Sequence, residues 1–282
     1  MKTFQVALIA VILVIVVASV LVIHYRSGSG SSLTLTQSSA GPYFPTEVQV
    51  QSTQPGWKIV SLGEVVSPSL VSGLYPNADS VYQEFLEQNN NNNSVISITV
   101  VHYSGTPNGN QTIPHAVLGH YLILVNSTGN VSSQVLTNLL SLEKSVLSSG
   151  NGIEITIPSF MYPNSSTLPV VEYVQTNITS PQGNFTQYSE YLLNSSTLGG
   201  ESVGINVLKG DNSTVLYNYL YSTASKLAVN GSLGGIKYFN ISVNGTFGQV
   251  YYNVGLNGKY VVLIQSQPSP YFQAFQYIIE KV

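Results

Sequence analysis

No cysteine occurs in the chain, and arginine occurs once, at Arg26. The first absence excludes disulfides, thiolate zinc sites, iron–sulfur ligation and thiol nucleophiles. The second, with only seven lysines beyond residue 26, leaves no basic stripe for a phosphate backbone, so nucleic acid is not an expected partner. Charge of either sign is scarce: Asp, Glu, Lys and Arg make up 7 % of the residues, against about 25 % in ordinary soluble domains. The two aspartates are Asp79 and Asp211. An acid-protease dyad needs two aspartates sharing a proton, but neither of these sits in a D-[ST]-G turn, and each reads as a helix-start residue. No histidine follows His120, so the Gly200-Glu201-Ser202-Val203-Gly204 pentapeptide lacks the later base that a nucleophile elbow uses. It reads as a turn. No phosphate loop or dinucleotide fingerprint appears.

Hydrophobic residues are at an ordinary 43 %, so a packed core is expected rather than a disordered tail. The longest apolar run, 6–23, is charge-free and spans about 27 Å as a helix, with Phe4 and Tyr25 at the interfacial positions. It ends in Ile23-His24-Tyr25-Arg26, without the small-x-small site of a cleaved signal peptide. Residues 1–26 therefore read as a retained N-terminal transmembrane anchor that meets the membrane through 4–25. The segment 27–56 opens with Ser27-Gly28-Ser29-Gly30-Ser31-Ser32 and reads as a flexible stalk.

The rest is crowded with N-x-[ST] triplets, at Asn92, Asn110, Asn126, Asn130, Asn164, Asn177, Asn184, Asn194, Asn212, Asn230, Asn240 and Asn244. Chance would give about five from the Ser and Thr content, and twelve are present. These asparagines are the candidate N-glycosylation sites. With the apolar segment they predict a single-pass cell-membrane protein whose C-terminal part lies outside. The tract 247–282 has no triplet despite Asn253 and Asn257, which suggests core or a contact surface that sugars would obstruct.

Few charges also suit acid. Near pH 3 both Asp and Glu are largely protonated, whereas neutral amides, hydroxyls and sugars do not titrate. In this respect the chain resembles the charge-poor, Ser/Thr/Asn/Tyr-rich surface glycoproteins of acidophilic archaea. The resemblance lies in composition along most of the ectodomain and rests on no motif. It implies an envelope protein of an acid-living microbe and nothing about activity.

Two segments look alike: Gly119-His120-Tyr121-Leu122 with its continuation to Ser127, and Gly258-Lys259-Tyr260-Val261 with its continuation to Ser266. Each precedes an amphipathic helix pattern ending in Leu142-Glu143-Lys144 or Ile279-Glu280-Lys281. The first helix has a Ser132 or Ser133 cap, a Val135, Leu139, Leu142 and Val146 stripe, and Gly150 as a stop. A second is capped by Asp211 and carries Leu216, Leu220, Thr223 and Leu227. A third starts at Ser269-Pro270, and a short one covers 78–88. Alternating Ile96, Ile98 and Val100, then Ile153, Ile155 and Ile157, then Val203, Ile205 and Val207, then Phe239, Ile241 and Val243 predict strands, with another around 248–254. The expected fold is α+β, antiparallel sheets with helices on one face, preceded by a single transmembrane helix. Two related β-α-β-β-α units are one reading of it. The expected domains are a first unit over 57–157, a strand and loop connection over 158–200, and a second unit over 201–282.

No catalytic, cofactor-binding or metal residue is assigned. His115 and His120, five apart, fall on opposite faces of a strand, so a three-histidine site would need His102 from a neighbour. Glu84 and Glu87 lie one helical turn apart in the expected 78–88 helix, where a solvated pair is the ordinary reading and a glycosidase pair the alternative. The nineteen tyrosines can stack on sugars or serve as a neutral surface. The function expected is binding, adhesion or envelope assembly, with an envelope protein or polysaccharide as partner and covalent N-glycans. The alternatives are a secreted acid-stable hydrolase and a released antimicrobial or toxin-like protein.

Overall fold

A computed structural model describes residues 42–65, 67–88, 91–109, 111–163, 168–193, 201–245 and 248–282. The expected membrane anchor lies outside the described residues, as does the stalk up to residue 41. Among the described residues no helix is long and apolar enough to cross a membrane. The described chain divides into two compact units, one ending at Ile157 and one beginning at Pro158.

In the first unit, α1 (Glu47–Thr53) leads into β1 (Trp57–Val65), α2 (Pro68–Leu74), β2 (Ala78–Gln88), β3 (Asn91–Tyr103), β4 (His115–Leu118), β5 (Tyr121–Thr128) and α3 (Ser133–Ser149). The strands are antiparallel in the order β4-β5-β3-β2-β1. One face carries Leu86, Ile96, Ile98, Ile123 and Val125 against Val50 of α1 and Leu139 of α3. The other carries Val65, Val81, Val101, Leu122 and Leu124 against Val71 of α2. Helix α3 follows its sequence signals: Ser132 Oγ accepts from the Val135 N–H, and Gly150 ends the helix at φ 68°.

The second unit holds β6 (Val170–Ser180), β7 (Gly183–Leu193), β8 (Ser202–Lys209), α4 (Ser213–Ala224), β9 (Val229–Leu233), β10 (Ile236–Gly245), β11 (Gly248–Asn257), β12 (Tyr260–Gln267) and α5 (Phe272–Ile279). Its antiparallel order is β6-β7-β8-β12-β11-β10-β9. Phe239, Val254, Val261 and Leu263 pack with Leu216 and Ala224 of α4 on one face. On the other, Gly255 lets Phe275 of α5 close on the sheet, since a Cβ there would stand 2.6 Å from Phe275 Cζ.

The expected α+β class is overturned: among the described residues twelve strands outweigh five helices, and each unit carries helices on both faces of its sheet. β8 explains part of the error, because its run from Ser202 to Val207 is buried on both sides rather than alternating. From β1 and from β8 onward the two units share the element order β-α-β-β-β-β-α, longer by two strands than the β-α-β-β-α expected, with α1 preceding it in one unit and β6 and β7 in the other. Their pairing differs, with β1 beside β2 in one unit but β8 beside β12 in the other. The similar segments at 119–127 and 258–266 are β5 and β12, which hold different places in their sheets.

Local corrections follow the same logic. The 78–88 helix is strand β2, paired on both sides. The folded part starts well before residue 57: Phe44 is fully buried and α1 has a Thr46–Gln49 capping box, so 42–56 is not stalk. Ile153 makes one bridge to Phe44 and no strand. α4 has Asn212, not Asp211, at its N-cap, and α5 begins at Phe272 after Tyr271 rather than at Pro270.

Candidate functional site

The placement of acidic groups is the first unusual feature. Glu84 of β2 and Glu143 of α3 are both fully buried, and neither carboxyl has a hydrogen-bond partner among the described residues. Burial pushes Glu84 well above the usual 4.5, and the nearby carboxylates Glu143 and Glu47 push it further. Burial alone takes Glu143 to about 8. Glu64, beside Tyr82 in the β1–β2 ladder, is raised by burial against an opposing hydrogen bond from Tyr82. In the second unit burial lifts Glu172 to about 7. It lifts Glu190 to about 8, although the Tyr162 N–H donates to that carboxylate at 3.0 Å and pulls the other way.

Glu84, Glu143, Glu172 and Glu190 are buried away from solvent, while Glu64 is half-buried. The expected Glu84–Glu87 neighbourhood dissolves: three apart on a strand, they face opposite sides, and Glu87 lies 3.4 Å from Lys58 Nζ. What buried carboxyls do is set the pH of stability. A folded-state value raised above the unfolded one means that stability is complete below about 4.5 and is lost as pH rises toward 7–8. Glu143, with its value near 8, can contribute at most roughly 3–5 kcal/mol to that loss.

His102 and His120 come together, their ring centroids 6.2 Å apart, without forming a three-ligand group. His102 Nδ1 lies 3.3 Å from Asp79, His120 Nδ1 meets the Gly105 carbonyl at 3.0 Å, and His115 Nδ1 meets the Ile113 carbonyl at 2.9 Å. Among the described residues no three His, Asp or Glu side chains could share a metal ion. Ser104 Oγ donates to Asp79 at 2.9 and 2.8 Å. Asp79 thus stands between serine and histidine, on β2 rather than at a helix start, and the imidazole cannot take the serine proton. Ser202 is buried on β8 and bonded to Tyr191, with no elbow. Asp211 is exposed and pairs with Lys259 at 2.7 Å.

The acceptor asparagines show a clear pattern. Asn126, Asn130, Asn177, Asn184, Asn212, Asn230 and Asn244 are exposed, and Asn240 is half-buried. Asn92 lies on β3, and Asn110, Asn164 and Asn194 lie outside the described residues. Asn206 and Asn253 are buried, and neither begins a triplet. Asn206 Oδ1 accepts from Gln187 Nε2 at 2.7 Å and from Ser189 Oγ at 2.9 Å.

A cleft on the second unit was not foreseen. β10 and β11 place Tyr238 opposite Gly255, Asn240 opposite Asn253 and Ser242 opposite Tyr251. Pro270 and Phe272 roof this face, with the Phe272 ring 5.5 Å from that of Tyr238. Together they enclose about 340 Å³, lined by four aromatic side chains (Tyr238, Tyr251, Tyr252 and Phe272) and two amides and by no charged side chain. Asn240 Oδ1 and Asn253 Nδ2 are buried and have no hydrogen-bond partner among the described residues, and each such atom costs about 1–3 kcal/mol. A wider hollow of about 510 Å³ adjoins it through the shared Pro270 and Phe272 and brings in Glu201, Tyr271 and Gln273. Triplet spacing was the one hint in the sequence, since β11 and α5 fall in the tract without acceptors.

Comparison with protein-family models, with curated proteins and with solved structures finds no match.

Proposed function

We propose that the chain is a membrane-anchored, N-glycosylated extracellular protein that binds, adheres or assembles within the cell envelope in an acidic medium, without catalysis. The observation that carries this reading is the partition of asparagines: seven of the eight acceptors with described exposure face solvent, while both buried asparagines lie outside triplets. The acidic medium is supported separately by the buried, unpartnered Glu84 and Glu143, which favour a protonated fold. A hydrolase reading gains nothing from either region, because Glu84, Glu143, Glu172 and Glu190 are buried and the Ser104–Asp79–His102 order is wrong for a triad.

Mass spectrometry of the protein purified from membranes of the cells that make it tests this reading. It predicts an intact N-terminal segment and sugars on several exposed acceptors, with envelope proteins or polysaccharide as cross-linked neighbours. A cleaved N-terminus with bare asparagines would overturn it and favour a released toxin-like protein or secreted enzyme.

A further inference from the structure

The geometry points to the β10–β11 cleft as a binding site for a neutral saccharide. It deepens the envelope-binding reading above, which supplies only the source of the sugar.

The ligand class follows from the walls. Tyr238, Tyr251 and Phe272 line the cleft, and aromatic rings suit the C–H face of a pyranose. Asn240 and Asn253 face each other across the ladder and leave one acceptor, Asn240 Oδ1, and one donor, Asn253 Nδ2, without a partner. A hydroxyl both donates and accepts, so a vicinal pair of hydroxyls answers both atoms at once. Asn253 itself is only 4 % exposed, which makes its orphaned donor part of a built wall rather than a surface accident. No side chain lining this cleft carries a charge, so an anionic or cationic ligand has no counter-ion there. The volume lies at the small end of the roughly 300–1,000 Å³ of small-molecule sites, enough for one end of a glycan rather than for a protein segment.

The outer rim is ordered the same way. Tyr251 OH donates to Gln249 Oε1 at 2.8 Å, and Gln249 Nε2 donates to Ser242 Oγ at 3.3 Å, which fixes the Tyr251 ring beside the amides. Because amides and phenols stay neutral from pH 2 to 8, such a site works unchanged in acid. One consequence separates Asn240 from the other acceptors. Its side chain belongs to the cleft wall and its strand is paired to β9 and β11, so its triplet stays unmodified while the exposed ones carry sugar.

The test uses the full-length protein in detergent micelles. Calorimetric titration measures binding of neutral oligosaccharides released from the envelope of the same cells, with an acidic oligosaccharide, polygalacturonate fragments, as the contrast. The expected result is binding of the neutral pool, constant between pH 3 and 6, and at least tenfold weaker in Tyr251→Ala and in Asn253→Ala. Asn253→Ala removes a buried Nδ2 donor that has no partner among the described residues, so its melting temperature holds or rises, which a purely structural asparagine would not allow. Peptide mapping is expected to find Asn240 bare. Absence of binding by the neutral pool, equal binding by both variants, preference for the acidic fragments, or a glycan on Asn240 would each overturn the proposal. The envelope reading fails on different data, the N-terminus and the other acceptors, so the two failures are distinguishable.

Discussion

The two units bury polarity in different ways. The first places titratable carboxyls, Glu84 and Glu143, in its core without partners, and holds the three described histidines at 102, 115 and 120. The second buries neutral groups, the Gln187–Ser189–Asn206 network and Asn253, beside two acids, Glu172 and Glu190, of which Glu190 accepts from the Tyr162 N–H. Neutral burial is indifferent to pH, whereas unpartnered carboxyls are tolerated only while protonated. The first unit therefore carries the unpartnered acids, Glu172 and Glu190 add to the acid dependence in the second, and the second also holds the cleft, whose lining is neutral.

The largest expected effect comes from removing the carboxyls. Glu84→Gln with Glu143→Gln should raise stability at pH 8, by at most roughly 3–5 kcal/mol from Glu143 and by a further gain of the same sign from Glu84, and leave it nearly unchanged at pH 3. Denaturant unfolding at the two pH values checks this. Next, Asn206→Ala should cost about 1–3 kcal/mol, because Gln187 and Ser189 lose their shared acceptor. The loss should be the same at pH 3 and pH 8, and a loss that varied with pH would break the contrast between the units. Gly255→Ala pushes a methyl into the Phe275 ring and should cost about 1–3 kcal/mol while loosening α5 and the cleft beneath it, read by thermal unfolding. The smallest effect belongs to Asp211→Asn. Its pair with Lys259 is fully exposed, so the melting temperature should not move measurably.

How far the sequence reveals this depends on whether a signal is local. Helix α3 is legible because its cap, stripe and glycine stop all lie within its own residues. Strand β3 is legible from the alternation of Ile96, Ile98 and Val100. β2 is not: Val81 with Phe85 and Tyr82 with Leu86 are each four apart and mimic a helical stripe, and only pairing on both sides by β1 and β3 makes the segment a strand. Misreading β2 also hid Glu84, which on a helix surface is a solvated acid and on this strand faces the core. The cleft was illegible for a different reason. Asn240 and Asn253 meet through the β10–β11 register, and Phe272 reaches them from a helix that starts two residues later than its proline suggests.

The most direct test of the acid-adapted account is calorimetric unfolding of the full-length protein from pH 3 to pH 8. The buried glutamates predict that the melting temperature is highest at or below about pH 4.5 and falls steadily toward pH 8, as the carboxyls near 7 and 8 ionise. A melting temperature that climbs from pH 3 to a neutral maximum would contradict it.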